Sequence, residues 1–253
     1  MTEDRDLKYA EEFARLAGEL SREPEEQPTL ERIVSLAVQT IDNCDHCGVS
    51  VRESDGRITT HAASDPVVER ADRLQYELQQ GPCLEAIWTL DSYLIEDLAA
   101  EDRWPQWCQA AISAGIGSVL SVRLEMPQTG VDGSLNLYAE RRGAFDVTDL
   151  AVAGIFARHA GTALTGARSQ DQLRSALHSR QIIGVAQGVL MQRFRLSLDQ
   201  SFELLRRYSQ YHNVKLRELA ENLVRNGGIP IESDDTDTND LLRHSFGLDD
   251  DGS

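Results

Sequence analysis

Residues 149–193 contain no proline, and this stretch constrains the fold more than any other feature. Apolar side chains recur along its first half at spacings of three and four, which is the spacing of one helix face. The repeating residues are Leu150, Ala153, Ala157, Ala160, Leu164 and Ala167. We expect a long helix whose seam of small residues is either the core face of a domain or a contact between two copies. Because the helix runs on toward Leu173 and Leu177, we expect a homodimer.

The residues before this helix predict a mixed domain. Two amphipathic helices come first, over residues 7–22 and from a cap at Thr29, and a hairpin then turns at Asp55-Gly56. Further elements follow in the order helix, helix, short strand, helix, and then two alternating strands. The predicted ranges are 67–80, 83–90, 92–98, 102–114, 118–126 and 133–140. This order predicts an α+β domain with an antiparallel sheet and flanking helices over residues 1–168.

The residues after it predict an all-α domain of three helices over residues 169–228. The first ends near Arg193, the second begins at a Ser197 cap, and the third runs from Val214 to about Arg225. In the second helix we expect four side chains to face inward. They are Leu198, Phe202, Leu205 and Ser209. Residues 229–253 carry eight acidic side chains and one arginine, and we expect a disordered acidic tail.

Charge is distributed unevenly along the chain. The net charge is −17, yet residues 170–228 hold nine basic and five acidic side chains, a net of +4. A basic segment between an acidic body and an acidic tail suits a nucleic-acid partner, although an arginine-rich solvated face has the same composition. The chain starts without a basic and apolar leader and has no apolar run of membrane-spanning length, so we expect a cytoplasmic protein with no membrane contact.

No catalytic motif stands out, and the cysteines are ambiguous. The sequence lacks a nucleophile elbow, a P-loop and a zinc-protease helix, so we expect no enzyme activity and no cofactor. Cys44 and Cys47 form a CxxC pair with His46 and His61 nearby, which leaves a redox or metal sensor open. A single CxxC without a second pair of ligands more often packs as two thiols, and we expect no bound metal.

Residues 179–224 resemble the ANTAR domain, the RNA-binding module of bacterial transcription antiterminators. The matching residues are Arg180, Ile183, Ala186, Gly188, Leu190, Met191, Phe202, Leu205, Arg206, Ser209, Asn213, Lys215, Leu216, Ala220 and Val224. The resemblance implies binding to paired RNA hairpins. We expect the basic members of the contact set to hold phosphates and the polar members to read loop bases. The expected contacts are Arg180, Gln187, Arg206, Ser209, Asn213 and Lys215; Gln187 stands where the family usually has lysine.

Residues 28–168 resemble the GAF domains that precede ANTAR domains. The segments that carry the likeness are 81–89, 97–107, 115–124 and 133–150. The resemblance implies a six-stranded antiparallel sheet with a small-molecule pocket on one face. The alternating strands and the Gly81-Pro82 turn predict a mainly apolar pocket, or a filled core in its place. The expected lining is Val49, Val51, Cys83, Ile87, Trp88, Leu135 and Leu137.

These observations predict a signal-responsive regulator in which a GAF-like sensor controls RNA binding by an ANTAR-like domain. Two alternatives stay open. The C-terminal helices could serve only dimerisation or a partner protein, or the chain could be a redox or metal sensor at Cys44 and Cys47. Reading of DNA by a helix-turn-helix is disfavoured because the link near His212-Asn213 lacks the usual glycine.

Overall fold

The computed structural model of the protein describes residues 15–226 except 21, 54, 90 and 127–130. The chain forms two compact units, the first ending at Asp171 and the second beginning at Gln172. The predicted tail, residues 229–253, lies outside the described residues, as does most of the predicted helix 7–22, of which residues 15–20 are helical. Across the described ranges, no helix combines the length and apolarity needed to cross a bilayer.

The first unit is an α+β domain, as the order of elements predicts. Its elements are α1 (Glu26–Thr40), β1 (His46–Arg52), β2 (Ile58–Ala63), α2 (Pro66–Leu78), α3 (Pro82–Thr89), β3 (Tyr93–Ile95), a 3-10 turn (Leu98–Ala100), α4 (Pro105–Ser113), β4 (Ser118–Met126), β5 (Val131–Ala139) and the start of α5 (Val147–Phe194). The strands lie in the order β2-β1-β5-β4-β3, and every neighbouring pair is antiparallel. Within the described residues the sheet has five strands, one fewer than the resemblance implies.

Both faces of this sheet are buried. One face is apolar: Val49, Leu120 and Leu135 belong to a core that α1 and α5 complete. The opposite face is covered by α2, α3 and α4, where Trp107 and Tyr138 are the largest buried side chains. Because side chains alternate along a strand, β1, β4 and β5 each contribute to both faces.

α5 packs its small-residue seam against the sheet of its own chain. Ala153, Ala157, Ala160 and Leu164 are all buried in the apolar core of the first unit. Of the two roles predicted for this seam, the core face of a domain is the one found, and a dimer contact through these residues is wrong because they are already covered. The small residues let the backbones approach closely: a Cβ atom added at Gly161 would lie 1.9 Å from the Glu125 carbonyl oxygen of β4.

The start of α1 differs from the prediction of a Thr29 cap. The helix begins at Glu26, and Thr29 lies inside it with its hydroxyl donating to the Glu25 carbonyl at 2.7 Å. The Glu25 side chain makes no capping hydrogen bond to the helix. Instead the Glu26 N–H donates to the Asp171 carboxylate at 2.7 Å, and Arg168 pairs with the Glu26 side chain at 2.6 Å. α5 therefore supplies both the cap and the counter-ion of α1.

The second unit consists of the end of α5 with α6 (Leu198–Tyr211) and α7 (Leu216–Asn226). The predicted Ser197 cap is present as a full capping box with Gln200. The predicted inward face of α6 is wrong in part: Leu198 and Phe202 are 59% and 41% exposed. The buried positions fall elsewhere on the helix. They are Ser201, Leu204, Leu205 and Tyr208. The prediction began the inward face at the first apolar residue after the cap, whereas the buried face lies on another side of the helix.

The close approach of α5 to β4 predicts opposite effects for two Gly-to-Ala changes. Gly161→Ala forces a Cβ into the β4 backbone, so we expect it to destabilise the first unit by about 2 kcal/mol or more. Gly154→Ala, on the same helix with nothing within 4 Å of the new atom, is expected to stabilise by about 0.5–1 kcal/mol. Urea unfolding followed by fluorescence of Trp88, Trp104 and Trp107 measures both, since all three lie in the first unit. Equal effects of the two changes would contradict this packing.

Candidate functional site

The covered second face of the sheet carries a buried cluster of polar side chains, here named the polar cluster. Its members come from β1, β2, α2, α3, β4 and β5. They are Ser50, Thr60, Asp72, Gln75, Tyr76, Cys83, Ser121, Ser134, Asn136 and Tyr138. The register places Ser50 beside Ser134 and Ser121 beside Asn136, so the strand residues share one face. The two glycines Gly48 and Gly81 leave room here, because a Cβ would meet Val68 or Gln75 at 2.5 Å or less.

Asp72 is the centre of the polar cluster. Its carboxylate accepts hydrogen bonds from the Tyr138 hydroxyl, from Thr60 at 2.9 Å and from the Asn136 amide at 3.4 Å. Burial raises the pKa of the Asp72 carboxyl to about 6, while the hydrogen bonds from Tyr138, Thr60 and Ser50 lower the pKa. Desolvation is the larger effect, so the carboxyl changes charge closer to neutral pH than an exposed aspartate does.

Two buried acceptors in the polar cluster lack a partner. The Asn136 side-chain oxygen and the Ser121 hydroxyl make no hydrogen bond in the described part of the chain, although neither residue is exposed. The Asn136 amide nitrogen, in contrast, donates to Ser50 at 3.0 Å. Because a buried polar atom without a partner is costly, adjacent unpartnered atoms on β4 and β5 indicate a place where a ligand or water forms hydrogen bonds.

Burial makes the cysteine thiols weak nucleophiles. Cys83 lies with its Sγ 3.0 Å from the Ser134 hydroxyl, and burial raises the pKa of its thiol to about 12. Burial also raises the pKa of the Cys44 thiol to about 12, and the pKa of the Cys47 thiol well above its usual range. A thiol of this kind is protonated at neutral pH and is a weak nucleophile. Among the described residues, no group of three or more His, Cys, Asp or Glu side chains could hold a metal ion.

The predicted apolar pocket is not brought together by the structure. Val49, Val51, Leu135 and Leu137 are fully buried on the α1 and α5 face of the sheet. The three remaining residues, Cys83, Ile87 and Trp88, lie on α3 at the opposite face, where Cys83 meets Ser134. Trp88 is 55% exposed, with Arg52 over its ring. The prediction failed because it combined apolar residues that alternation places on different faces.

Residues 172–226 of the second unit, the part that the structure describes, have a basic surface. Every arginine and lysine in residues 172–226 is exposed. Of the six predicted contacts, four are exposed: Arg180, Arg206, Asn213 and Lys215. Gln187 and Ser209 are partly buried. No described contact joins the six into one cluster, so their role in binding stays a prediction.

Acidic neighbours hold several of these basic groups. Glu203 accepts from Arg206 through Nε at 2.9 Å and Nη2 at 2.8 Å, and from Arg207 at 2.8 Å. The hydrogen bonds from Arg206 and Arg207 lower the pKa of Glu203 to about 2, so this carboxylate is ionised at neutral pH. Lys215 lies 3.8 Å from Glu218. Charge-assisted hydrogen bonds from one carboxylate thus orient the guanidinium groups of Arg206 and Arg207.

The three polar candidates also shape the domain. Gln187 donates to the Leu198 carbonyl at 3.1 Å, which joins α5 to the first turn of α6. The Ser209 hydroxyl donates to the Val214 carbonyl at 2.6 Å, across the turn that ends α6. Asn213 lies in that turn with a φ of 51°, in the left-handed region that asparagine tolerates well. The turn contains no glycine, and Asn213 adopts the left-handed conformation that a glycine would otherwise provide.

Sequence reasoning missed the polar cluster and Glu203. The strand members of the cluster are short polar residues that alternate with apolar ones, a pattern typical of a solvent-facing side. The available signal was their size, since Ser and Asn stand where an exposed strand favours long charged side chains. Asp72 and Gln75 on the Val68 face of α2 were a second signal. Glu203 is readable from its spacing, three and four residues before two arginines.

Comparisons with known proteins agree with the two-unit division. A GAF domain model matches residues 23–165, and an ANTAR domain model matches residues 171–224. No curated protein matches the chain. The free methionine-R-sulfoxide reductase from Neisseria meningitidis, in complex with its substrate, is 16% identical with a TM-score of 0.51, over 64% of this chain and 90% of the reductase.

A second solved structure is a GAF domain itself. The GAF domain of a phosphoenolpyruvate-protein phosphotransferase from Coxiella burnetii is 13% identical with a TM-score of 0.50, over 66% of this chain and 98% of that domain. Identities this low show the fold alone. The chain shares that fold with an enzyme and with a phosphotransferase domain, and the likeness assigns neither activity.

The raised pKa of Asp72 predicts how stability depends on pH. The folded value of about 6 exceeds the unfolded value of about 3.9, so the folded state binds the proton more tightly. This contribution is complete below pH 4 and is lost as the pH rises through 6, up to about 3 kcal/mol. Asp72→Asn cannot titrate, and we expect urea unfolding at pH 4.5 and 7.5 to show a smaller loss for it than for the unsubstituted protein. Asp91→Asn, an exposed control, should change nothing; identical pH profiles for all three would contradict the assignment.

Proposed function

The chain belongs to the proteins in which a GAF domain precedes an ANTAR domain, and from this premise we propose that it is a ligand-responsive regulator of transcription antitermination. Signal sensing and RNA binding of the antiterminator type are the general functions of these two domains. We propose in particular that the ANTAR domain binds paired RNA hairpins and that a small molecule bound by the GAF domain controls it. A regulator of nascent RNA acts where transcription occurs, which is the reason to expect a cytoplasmic protein.

The observation that carries the RNA proposal is the charge of the second unit. Nine basic side chains fall within residues 170–228 of a chain whose net charge is −17. Among the exposed residues, Glu203 orients the Arg206 guanidinium and the Lys215 side chain is 85% exposed, and both positive charges suit phosphates. Tyr211 is exposed beside His212, at a ring distance of 4.9 Å, and can offer a stacking surface to an unpaired base.

The polar cluster supports the sensing proposal. It combines an aspartate that titrates near neutral pH with the unpartnered acceptors of Ser121 and Asn136. A ligand that donates hydrogen bonds to these atoms satisfies buried groups that the domain alone leaves unsatisfied. We place the sensing site here, on the face opposite the apolar core.

A homodimer is proposed through the exposed continuation of α5. Leu173 and Leu177 are 62% and 57% exposed and one helical turn apart, so they form an apolar strip. Ser175, on the opposite side of the helix, accepts from Arg217 of α7 at 3.1 Å. The strip therefore faces away from the rest of its own unit. We propose that α5 of a second copy packs against it.

The other functions have less support. A redox or metal sensor at Cys44 and Cys47 needs a reactive thiol or a third ligand, but burial keeps both thiols protonated. Catalysis by Cys83 meets the same objection. A module for a partner protein alone would not need its basic side chains exposed, although exposed Leu198 and Phe202 suit such a partner.

RNA affinity should respond in one direction to a change at Lys215, just before α7, and in the other direction to changes at Glu203 on α6 and Gln187 on α5. Lys215→Ala removes a phosphate contact, so we expect weaker binding to a paired-hairpin RNA by about 1 kcal/mol and a shallower salt dependence. Glu203→Gln frees Arg206 and Arg207 from their carboxylate, so we expect tighter binding. Gln187→Lys keeps a donor for Leu198 and adds charge, and it should also tighten binding. Mobility-shift titrations between about 50 and 200 mM salt measure all three. An unsubstituted protein that shifts no hairpin RNA at low salt would refute RNA binding.

The dimer proposal is tested by charging the apolar strip. The double change Leu173→Lys and Leu177→Lys should convert a dimer into a monomer, since four lysines would meet across the contact. Gln172→Lys, an exposed neighbour on another side of the helix, should leave the dimer intact. Sedimentation equilibrium at micromolar concentration gives the mass. A monomeric unsubstituted protein, or a double variant that stays dimeric, overturns the assignment.

A further inference from the structure

A groove of about 450 Å³ lies along the outer edge of β2, on the first unit. Thr59–Ala63 of β2 form its floor, and α1 and α2 form its two walls. The wall side chains are Gln27, Glu31, Glu69, Arg73 and Tyr76. Its volume falls in the range of small-molecule sites, about 300–1,000 Å³. The groove lies beside the polar cluster, which occupies the covered face of the sheet.

Opposite charges face the groove without neutralising each other. Glu69, Arg73 and Tyr76 follow at spacings of four and three, so they share one face of α2. Glu69 and Arg73 are four residues apart in the order that favours an ion pair, yet neither makes one within the described residues. Glu31, on the other wall, accepts from the Gln27 amide at 3.2 Å and from no other side chain in the described part of the chain. One guanidinium and two carboxylates are therefore available to an occupant.

The shape of the β2 edge favours a compact occupant over an extended chain. The edge strand of a sheet can pair with an added strand, and neither wall of the groove covers the outer edge of β2. However, the β1–β2 ladder shifts register between Val49 and Ser50, where Ala62 and Thr60 are the partners and His61 is the extra residue. A bulge bends the strand and interrupts regular pairing along its outer edge.

We propose that this groove binds a small amphoteric molecule, one that carries both a carboxylate and an ammonium group. Arg73 holds the carboxylate, with two parallel N–H donors. Glu69 or Glu31 holds the ammonium group, and the threonine hydroxyls with the open strand edge accept or donate the remaining hydrogen bonds. The site is separate from the unpartnered atoms of Ser121 and Asn136, and it does not depend on RNA binding.

A ligand in the groove can alter the polar cluster because two residues belong to both. The Tyr76 hydroxyl lies 2.8 Å from the Thr60 hydroxyl, and both residues line the groove. Thr60 also donates to Asp72 at 2.9 Å, and Tyr76 bonds Ser50 at 2.8 Å. A ligand that recruits either hydroxyl therefore changes the hydrogen bonds around Asp72.

Isothermal titration of the full chain tests the site with one set of probes that vary the charge spacing and a second set that vary the side chain. The probes are glycine, β-alanine, γ-aminobutyrate and 5-aminovalerate, together with the twenty α-amino acids. Butyrate and butylamine each keep one of the two charges. We expect saturable binding of at least one amphoteric probe, and at least about tenfold weaker binding of its single-charge analogues. Arg73→Gln and Glu69→Gln should each weaken binding about tenfold. Arg70→Gln, an exposed change on α2 outside the groove, should have no effect.

Three results would overturn the proposal. The first is the absence of saturable binding by any amphoteric probe at millimolar concentration. The second is binding that Arg73→Gln leaves unchanged, which places the probe elsewhere. The third is binding of an end-blocked extended hexapeptide of alternating valine and threonine while the amino acids stay silent, which assigns the edge to strand addition. Each result is independent of RNA affinity, so failure here leaves the RNA proposal standing.

Discussion

The burial of both faces of one antiparallel sheet is the constraint on which the first unit depends. Alternation along β1, β4 and β5 gives each face its own set of side chains, and covering both with helices removes both sets from water. The apolar set needs only packing, which α1 and α5 provide. The polar set needs hydrogen bonds, and Asp72 of α2 accepts four of them, from Tyr138, Thr60, Ser50 and Asn136. A single buried carboxylate thus holds three strands and a helix in one network.

The same strands connect this network to α5. Ser121 and Asn136 are neighbours on the polar face, while Leu120 and Leu137 are neighbours on the apolar face of the same two strands. Gly161 of α5 contacts the β4 backbone with no space for even a methyl group. β4 therefore carries Ser121 on the polar face and is in direct backbone contact with α5 on the other face. α5 continues without a break to Phe194 and supplies Ala186 and Leu190 to the core of the second unit.

The sequence predicted the elements better than it predicted their faces. The long helix, the hairpin, the Ser197 cap and the α+β order all follow from local periodicity and turn chemistry, and the structure contains them. Which face of an element is buried depends on what lies across from it, and that information is not local. For this reason local periodicity leaves the α5 seam open to a partner copy, predicts Phe202 inside and groups Val49 with Cys83, whereas the structure buries the seam, exposes Phe202 and separates Val49 from Cys83. The polar cluster was missed because burial of serine and asparagine on a strand requires a carboxylate supplied by a distant helix.

The charges of the second unit favour selective binding of RNA over general attraction to any RNA. The body of the chain is acidic, so the field of the whole protein repels RNA, and only the local charges of the second unit attract it. Several of those charges already have acidic partners: Glu203 holds Arg206 and Arg207, and Glu221 holds Arg217 at 2.7 Å. A phosphate that approaches these arginines meets a carboxylate of the same sign, so its binding is favourable only where it reaches the N–H groups of the guanidinium in good geometry. Arg180 has no such partner in the described residues and can contact any phosphate within reach. If the second unit binds RNA as proposed, we expect the paired arginines to discriminate between RNA shapes and Arg180 to contribute affinity that is common to all of them.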